Sequence, residues 1–257
     1  MPVNKFACFS YTRSGTHLLS DILMMITGLK FNWPESGPGT RIQATIDDFK
    51  NCSDDSFYIS HSFPLADFLE YLSDNNYRII LNIRDPRDQL ISLYYYYLDH
   101  ALITIGNKEA ITGNLEHDMN EMITAGFFYD EQPITLMSLH YLWFHKWVSA
   151  LREFDMPVLL INYESMVLNK GRIILKLCDF LGINPDEIAI QEIIDKTAFE
   201  KESETQKIRN LNEIMKHPFK ENVGAWKFIF TDWNKSMYKK LGGSYLLKMR
   251  YEKDNNW

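Results

Sequence analysis

Residues 5–28 read KFACFSYTRSGTHLLSDILMMITG, and we expect the rest of the chain to be built around this stretch. Residues 5–11 have the apolar character of a buried β-strand. A short polar turn follows at residues 12–16, and apolar residues then recur at helical spacing as far as Gly28, a residue type that commonly ends a helix. The stretch therefore predicts a strand, a turn and a helix in immediate succession.

The turn between this strand and this helix is suited to an anion. A helix N-terminus carries unpaired backbone N–H groups and partial positive charge, and Arg13, Ser14 and Thr16 stand there. A plainer interpretation is that Ser14 or Thr16 only caps the helix. The pattern GxxxxGK[ST] is absent because no lysine follows Gly15, which argues against an ordinary ATP or GTP loop.

Strand and helix patterns alternate along the rest of the chain. Further strands are predicted at 56–60, 77–83 and 157–162, and helices at 65–72, 86–100, 134–152 and in a segment that ends at Gly182. Residues 30–55 and 101–132 are predicted to be irregular. The alternation predicts one α/β domain over residues 1–257, with a mostly parallel central sheet and helices on both faces.

Four side chains that could bind an anion or transfer a proton come just after predicted strands. They are Arg13, His61, Arg84 and Tyr163. Because ligands of open α/β sheets bind beyond the carboxyl ends of the strands, we expect these four residues to meet at one edge of the sheet.

The segment RDPRDQLISLYYYY at residues 84–97 is a second candidate for phosphate binding. Arg84 leaves a strand, and Ser92 lies about two turns into the next helix, so both reach one phosphate only if the phosphate lies along that helix. The alternative is an ordinary helix start, in which Asp85 is the cap and Arg87 is solvated.

Composition narrows the class of protein. The chain has 27 basic and 34 acidic residues, a net charge of −7, and no long basic run, so nucleic acid is not an expected partner. Three widely spaced cysteines fit a reducing, cytoplasmic compartment and neither a disulfide framework nor a zinc site. The apolar stretches are shorter than the about 18–20 residues of a membrane helix, so we expect no membrane span and no signal peptide.

Five segments resemble motifs of one enzyme family in the family's order. They are YTRSGTHLL at 11–19, RDPRDQLISLYYYY at 84–97, NYESM at 162–166, IIDKTAF at 193–199 and VGAWKFIFT at 223–231. Together they resemble the cytosolic-type sulfotransferases, over nearly the whole chain. The resemblance implies a P-loop-like sulfotransferase fold. It also implies transfer of a sulfuryl group from 3′-phosphoadenosine 5′-phosphosulfate (PAPS), with adenosine 3′,5′-bisphosphate (PAP) as product and no metal.

The resemblance also implies a role for each matching residue. The nucleotide would be bound by Arg13, Ser14, Gly15, Thr16, His17, Arg84, Ser92, Tyr163, Thr197, Phe199 and Lys220. Within this set, residues 14–17 would cradle the 5′-phosphosulfate. Arg84, Ser92 and Lys220 would meet the 3′-phosphate, and Thr197 and Phe199 would hold the adenine.

The same comparison implies two catalytic residues. His61 would be the general base, and a histidine with a pKa near about 6.5 is suited to this role at neutral pH. Arg13 stands where the family has a lysine, and it would stabilise the charge that develops on the leaving group. Because a guanidinium group has a pKa above about 12, Arg13 would not donate a proton readily.

The sequence also departs from the family pattern. Leu18 replaces a tryptophan that packs on adenine, and Ile59 replaces a lysine two residues before the histidine. Residues 219–221 read Phe-Lys-Glu where the family has Arg-Lys-Gly, so only Lys220 is retained. The family's dimer motif would begin at Lys227 but is broken at Asp232 and Ser236, which leaves the oligomeric state open.

The expected acceptor is a small molecule or a glycan with a hydroxyl or an amine group. Because the chain begins almost at its first strand, we expect it to lack the N-terminal extension that helps to shape the acceptor pocket in longer relatives. Two alternatives remain open: a noncatalytic protein that binds PAP or PAPS, and a nucleotide-dependent kinase.

Overall fold

The computed structural model describes residues 4–33, 44–100, 112–124, 126–129, 132–184, 187–198 and 223–257. These residues form two compact units. The first unit lies within residues 1–84 and 143–209, and the second lies within 85–142 and 210–257. A single domain over the whole chain stays a prediction.

The helices and strands follow one another in an alternating order. They are β1 (Phe6–Ser10), α1 (Thr16–Thr27), β2 (Lys30–Asn32), α2 (Ile46–Lys50), β3 (Ser56–Ser60), α3 (Ala66–Asp74), β4 (Arg78–Ile83), α4 (Pro86–His100), α5 (Leu115–Thr124), β5 (Gly126–Tyr129), β6 (Gln132–Thr135), α6 (Leu136–Glu153), β7 (Val158–Asn162), α7 (Tyr163–Leu168), α8 (Lys170–Leu181), α9 (Glu187–Lys196), α10 (Trp226–Ile229) and α11 (Asp232–Lys248).

The first unit is built on a five-stranded sheet in the order β2-β3-β1-β4-β7. Every neighbouring pair in it is parallel, and in the centre Ala7 of β1 lies beside Tyr58 of β3 on one side and Ile79 of β4 on the other. All five residues of β1 are buried, as expected for a strand that is covered on both faces. The predicted α/β fold with a parallel sheet is confirmed.

Helices cover the two faces of this sheet with different side chains. On one face, Phe6 and Cys8 belong to an apolar cluster with residues of α1, α7, α8 and α9. On the other face, the ring of Phe9 packs against Phe49, Phe68 and Trp147, with ring centroids 6.3, 5.9 and 4.2 Å away. This alternation follows from the two-residue period of a strand.

Two segments predicted to be irregular contain regular structure. Residues 30–55 include the short strand β2 and the helix α2, which Thr45 and Asp48 begin with a capping box. Residues 101–132 include α5 and β5. A strand of three residues has little periodicity of its own and is fixed by its pairing with β3, which lies far along the sequence.

The second unit combines α4, α5, α10 and α11 with the antiparallel β5–β6 hairpin. Asp85 does cap α4, because its carboxylate accepts from the backbone N–H of Arg87 at 2.9 Å. Arg87 is not solvated, as the plainer interpretation of this segment supposed. It is 1% exposed, forms ion pairs with Asp85 and Glu252, and its guanidinium lies 3.8 Å from the centre of the Trp226 ring. Burial among these partners explains the difference.

In the part of the chain that the structure describes, no helix is both long enough and apolar enough to cross a membrane.

Candidate active site

The turn between β1 and α1 leaves the helix N-terminus open. Gly15 is the N-cap residue, with a φ of 85°, and among the described residues α1 has no side-chain cap hydrogen bond at this end. Capping by Ser14 or Thr16 is therefore not observed. The first turn of α1 also has no acidic residue, so the positive end of the helix dipole is not neutralised there.

Tyr163, the residue that follows β7, packs directly on this turn. A Cβ atom added to Gly15 would lie 2.4 Å from Cδ2 of Tyr163. Any other residue at position 15 would meet this ring and would also adopt a φ that favours glycine. The close approach brings the carboxyl ends of β1 and β7 to the same site.

Arg84 joins the turn from the end of β4. It is 4% exposed, and its Nη1 donates to the carbonyl oxygen of Arg13 at 3.2 Å. Its guanidinium carbon lies 4.1 Å from the centre of the Tyr163 ring. The Nε of Arg84 and the Oγ of the fully buried Ser14 have no hydrogen-bond partner among the described residues.

His61 follows β3 and contacts the end of β1. Its Nδ1 lies 2.5 Å from the carbonyl oxygen of Ser10, and Trp33 packs edge-on against the imidazole with ring centroids 4.9 Å apart. Because a carbonyl oxygen only accepts, Nδ1 carries the proton, and Nε2 retains its lone pair.

The pKa of His61 is lower than the sequence suggested. Burial lowers this pKa to about 4, the hydrogen bond to Ser10 opposes the shift, and the charges of His17 and Arg13 lower the pKa further. His61 is therefore neutral at physiological pH, which keeps Nε2 available to accept a proton.

Sequence reasoning missed two groups of residues that support these side chains. Trp143 donates from Nε1 to the carbonyl oxygens of Ser62 and His61, at 2.8 and 3.2 Å, and Trp147 donates to Ser62 at 2.9 Å. The second group is formed by Ser10 and Asn82, which bond to the turn itself. The one available signal was Asn82, a polar residue within the apolar strand RIILNI.

The structure brings most of the predicted site residues together in the first unit. These are Arg13, Ser14, Gly15, Thr16, His17, His61, Arg84 and Tyr163, all on or next to the carboxyl ends of β1, β3, β4 and β7. Leu18, which stands at the position of the family's adenine-packing tryptophan, is instead buried in the apolar core.

The other four predicted residues are Thr197, Ser92, Phe199 and Lys220. Thr197 is buried at the end of α9, where its Oγ1 donates to the carbonyl of Ile193 at 2.7 Å and its own carbonyl accepts from Lys170 at 2.6 Å. Ser92 is a buried residue of α4 in the second unit. Phe199 and Lys220 lie outside the described residues. The roles of all the predicted site residues stay predictions.

Comparison with known proteins identifies the family of the chain. The model of the sulfotransferase domain family matches residues 4–242. The chain is 28% identical to a 3-beta-hydroxysteroid sulfotransferase of Cavia porcellus, over 86% of this chain and 76% of the relative. It is 26% identical to sulfotransferase 1A1 of Mus musculus, over 86% and 77% of the two chains.

Solved structures share the fold. A mouse sulfotransferase complexed with PAP has a TM-score of 0.65 at 19% identity, covering 96% of this chain and 85% of that chain. Retinol dehydratase in complex with androsterone and PAP has a TM-score of 0.64 at 16% identity, covering 94% and 80%. Because the family model matches far more than half of the 257 residues, this chain belongs to the sulfotransferase domain family and is an enzyme of sulfuryl transfer.

Proposed function

We propose that this chain transfers the sulfuryl group of PAPS to a hydroxyl group of a small molecule. The observation that carries the proposal is the meeting of Arg13, His61 and Arg84 around the open N-terminus of α1. Two cationic groups and a neutral imidazole there match a reaction in which an anionic donor is bound and an acceptor loses a proton.

The turn fits the 5′ end of the donor. The N-terminus of α1 has no side-chain cap and no acidic residue in its first turn, while Ser14 Oγ is buried without a partner among the described residues. Groups of this kind favour an anion that replaces their missing hydrogen bonds. Residues 13–17 would therefore hold the 5′-phosphosulfate, with Tyr163 supporting the turn from below.

Arg84 and residues from other segments would hold the other parts of the donor. Arg84 has one guanidinium nitrogen without a partner among the described residues, and it would bind the 3′-phosphate together with Ser92 and Lys220. Thr197 and Phe199 would contact the adenine. PAPS would supply the activated sulfuryl group.

His61 and Arg13 have different proposed catalytic roles: His61 accepts a proton, and Arg13 stabilises negative charge. The hydrogen bond from Nδ1 to Ser10 directs Nε2 away from the backbone, so Nε2 would accept the proton of the acceptor hydroxyl. Arg13 stays charged at every relevant pH and would stabilise the negative charge that develops as the donor is cleaved.

The proposed acceptor is a small apolar alcohol. The relative from Cavia porcellus is named for 3-beta-hydroxysteroids, and the matched retinol dehydratase structures contain androsterone or retinol. Amines and glycans are the alternative acceptors. The proposed compartment is the cytoplasm, which the three free thiols of Cys8, Cys52 and Cys178 support.

An acceptor panel with ³⁵S-labelled PAPS tests the proposal. The panel contains a 3β-hydroxysteroid, retinol, a phenol, a primary amine and an oligosaccharide. We expect label on at least one of the three small alcohols and greater thermal stabilisation by PAP than by ATP with magnesium. Absence of label from every acceptor, together with stabilisation by ATP and not by PAP, would contradict the proposal.

A further inference from the structure

Asn82 is a polar side chain in the middle of an apolar sheet. It lies in β4, between β1 and β7, and it is fully buried. Burial of an amide is costly unless the amide is hydrogen-bonded, so its partners indicate why it is there.

Two hydrogen-bond partners of the Asn82 amide nitrogen belong to the proposed donor-binding turn or to the strand that leads into it. Nδ2 donates to the carbonyl oxygen of Ser14 at 2.7 Å and to Oγ of Ser10 at 3.2 Å. Ser10 Oγ is also 2.9 Å from Oγ1 of Thr16, and the carbonyl of Ser10 binds His61. One amide therefore connects β4 to the turn, to the first residue of α1 and to the strand end that orients His61.

The bond to Ser14 also determines the direction of a neighbouring donor. In a planar trans peptide, the carbonyl group and the following N–H group point in opposite directions. Since Asn82 donates to the Ser14 carbonyl, the N–H group of Gly15, the N-cap residue of α1, points away from the Asn82 amide. A side chain that does not donate here would remove this restraint on the peptide.

We infer that Asn82 is a positioning residue that fixes the Ser14–Gly15 peptide, so that the Gly15 N–H group meets the 5′-phosphosulfate of the donor. The inference rests on the proposed function, because it assumes that the turn binds that group. Asn82 itself does not touch the donor. Replacing Asn82 is therefore expected to lower the affinity only for nucleotides that carry a 5′-phosphate or 5′-phosphosulfate.

The test compares two nucleotides in the wild type and in Asn82→Leu. Leucine has a similar volume and removes the amide, including the Oδ1 atom that has no partner among the described residues, so we expect the variant to fold. Affinities for PAP and for adenosine 3′-monophosphate are measured by calorimetry, and folding is checked by thermal unfolding. We expect the affinity for PAP to fall about tenfold, the loss of about one hydrogen bond, with that for the monophosphate unchanged.

Two further variants complete the experiment. Asn234→Ala removes a buried asparagine that caps α11 in the second unit, and it should lower stability without changing the ratio of the two affinities. Asn82→Ser replaces the leucine variant if that protein does not fold, because serine is too short to reach Ser14. An equal loss for both nucleotides, or no loss for either, overturns the inference. Failure of the wild type to bind PAP overturns the proposed function as well.

Discussion

At the scale of single residues, the protonation state of His61 determines when the proposed base is active. Its folded-state pKa is lowered by burial to about 4, so the imidazole is neutral from neutral pH down to mildly acidic pH. An unperturbed histidine would titrate near about 6.5. The difference between these two pKa values means that the pH dependence of activity distinguishes a buried His61 from an exposed one.

We predict that kcat/KM for the donor stays level from neutral pH to mildly acidic pH and falls with an acid limb near pH about 4, the pKa of His61, because this parameter reports the free enzyme. The same shift has a consequence for folding. Between about 6.5 and the lowered pKa the unfolded chain binds a proton that the folded chain does not bind, so the free energy of unfolding falls as pH falls through this window. Initial-rate measurements between neutral pH and the acid limit of stability check the first expectation, and an acid limb near about 6.5 would count against it.

Arg84 gives a second prediction at this scale. Replacing it by alanine should weaken PAP binding by roughly 10–100-fold, the loss of one or two hydrogen bonds to a charged group. Arg78, at the other end of β4, is a matched control, because its Nη1 binds the carbonyl of Phe180 far from the turn. Arg78→Ala should lower stability and leave the affinity for PAP unchanged. Equal affinities of the wild type and Arg84→Ala in calorimetry would remove Arg84 from the site.

Residues that follow strands were predictable from the sequence, and their supporting partners were not. Arg13, His61, Arg84 and Tyr163 were found because the parallel order of the strands places strand ends together. Asn82, Trp143 and Trp147 act through contacts with residues between 68 and 85 positions away. No local pattern in a sequence records such a contact, since it exists only after the chain has folded.

At the scale of elements, the junction of β1 and α1 depends on a glycine. Gly15 and Gly28 lie at the two ends of α1 with similar φ values of 85° and 71°. A Cβ added to Gly28 would meet nothing within 4 Å, whereas one added to Gly15 would lie 2.4 Å from Tyr163. A substitution at Gly28 therefore introduces backbone strain alone, whereas a substitution at Gly15 introduces backbone strain and a steric clash with Tyr163.

We predict that Gly28→Ala lowers the free energy of unfolding by about 1–2 kcal/mol, the cost of a left-handed residue. Gly15→Ala should cost more than this and should also abolish tight PAP binding, because Tyr163 has to move. Urea denaturation of both variants measures the first effect, and calorimetry measures the second. Similar losses of stability in the two variants would contradict this prediction and would show that Tyr163 moves aside at little energetic cost.

Elements with a strong apolar pattern were predicted well, and two other elements were missed. The helix predicted at 134–152 is observed as Leu136–Glu153, and the strand predicted at 157–162 as Val158–Asn162, because helical periodicity and a run of apolar residues indicate these structures locally. The strand Lys30–Asn32 and the helix Leu115–Thr124 were predicted to be irregular. The strand depends on pairing with a neighbour, and sequence periodicity does not report such pairing.

At the scale of the whole molecule, the proposed base and the turn proposed to bind the donor belong to the first unit, and the roles proposed for Ser92 and Lys220 stay predictions. The fold, the family and sulfuryl transfer were predictable because five motifs occur in the family's order. The acceptor was not, since it is selected by pocket shape, which depends on side chains from many segments.

The decisive measurement for the proposed function is transfer of ³⁵S-labelled sulfuryl from PAPS to the best acceptor of the panel, in the wild type and in His61→Ala. We predict rapid transfer by the wild type and a rate lowered by roughly 10²–10⁴-fold in the variant, with the affinity for PAP largely retained. Equal rates in the two proteins, or no transfer by the wild type to any acceptor, would contradict the proposed function.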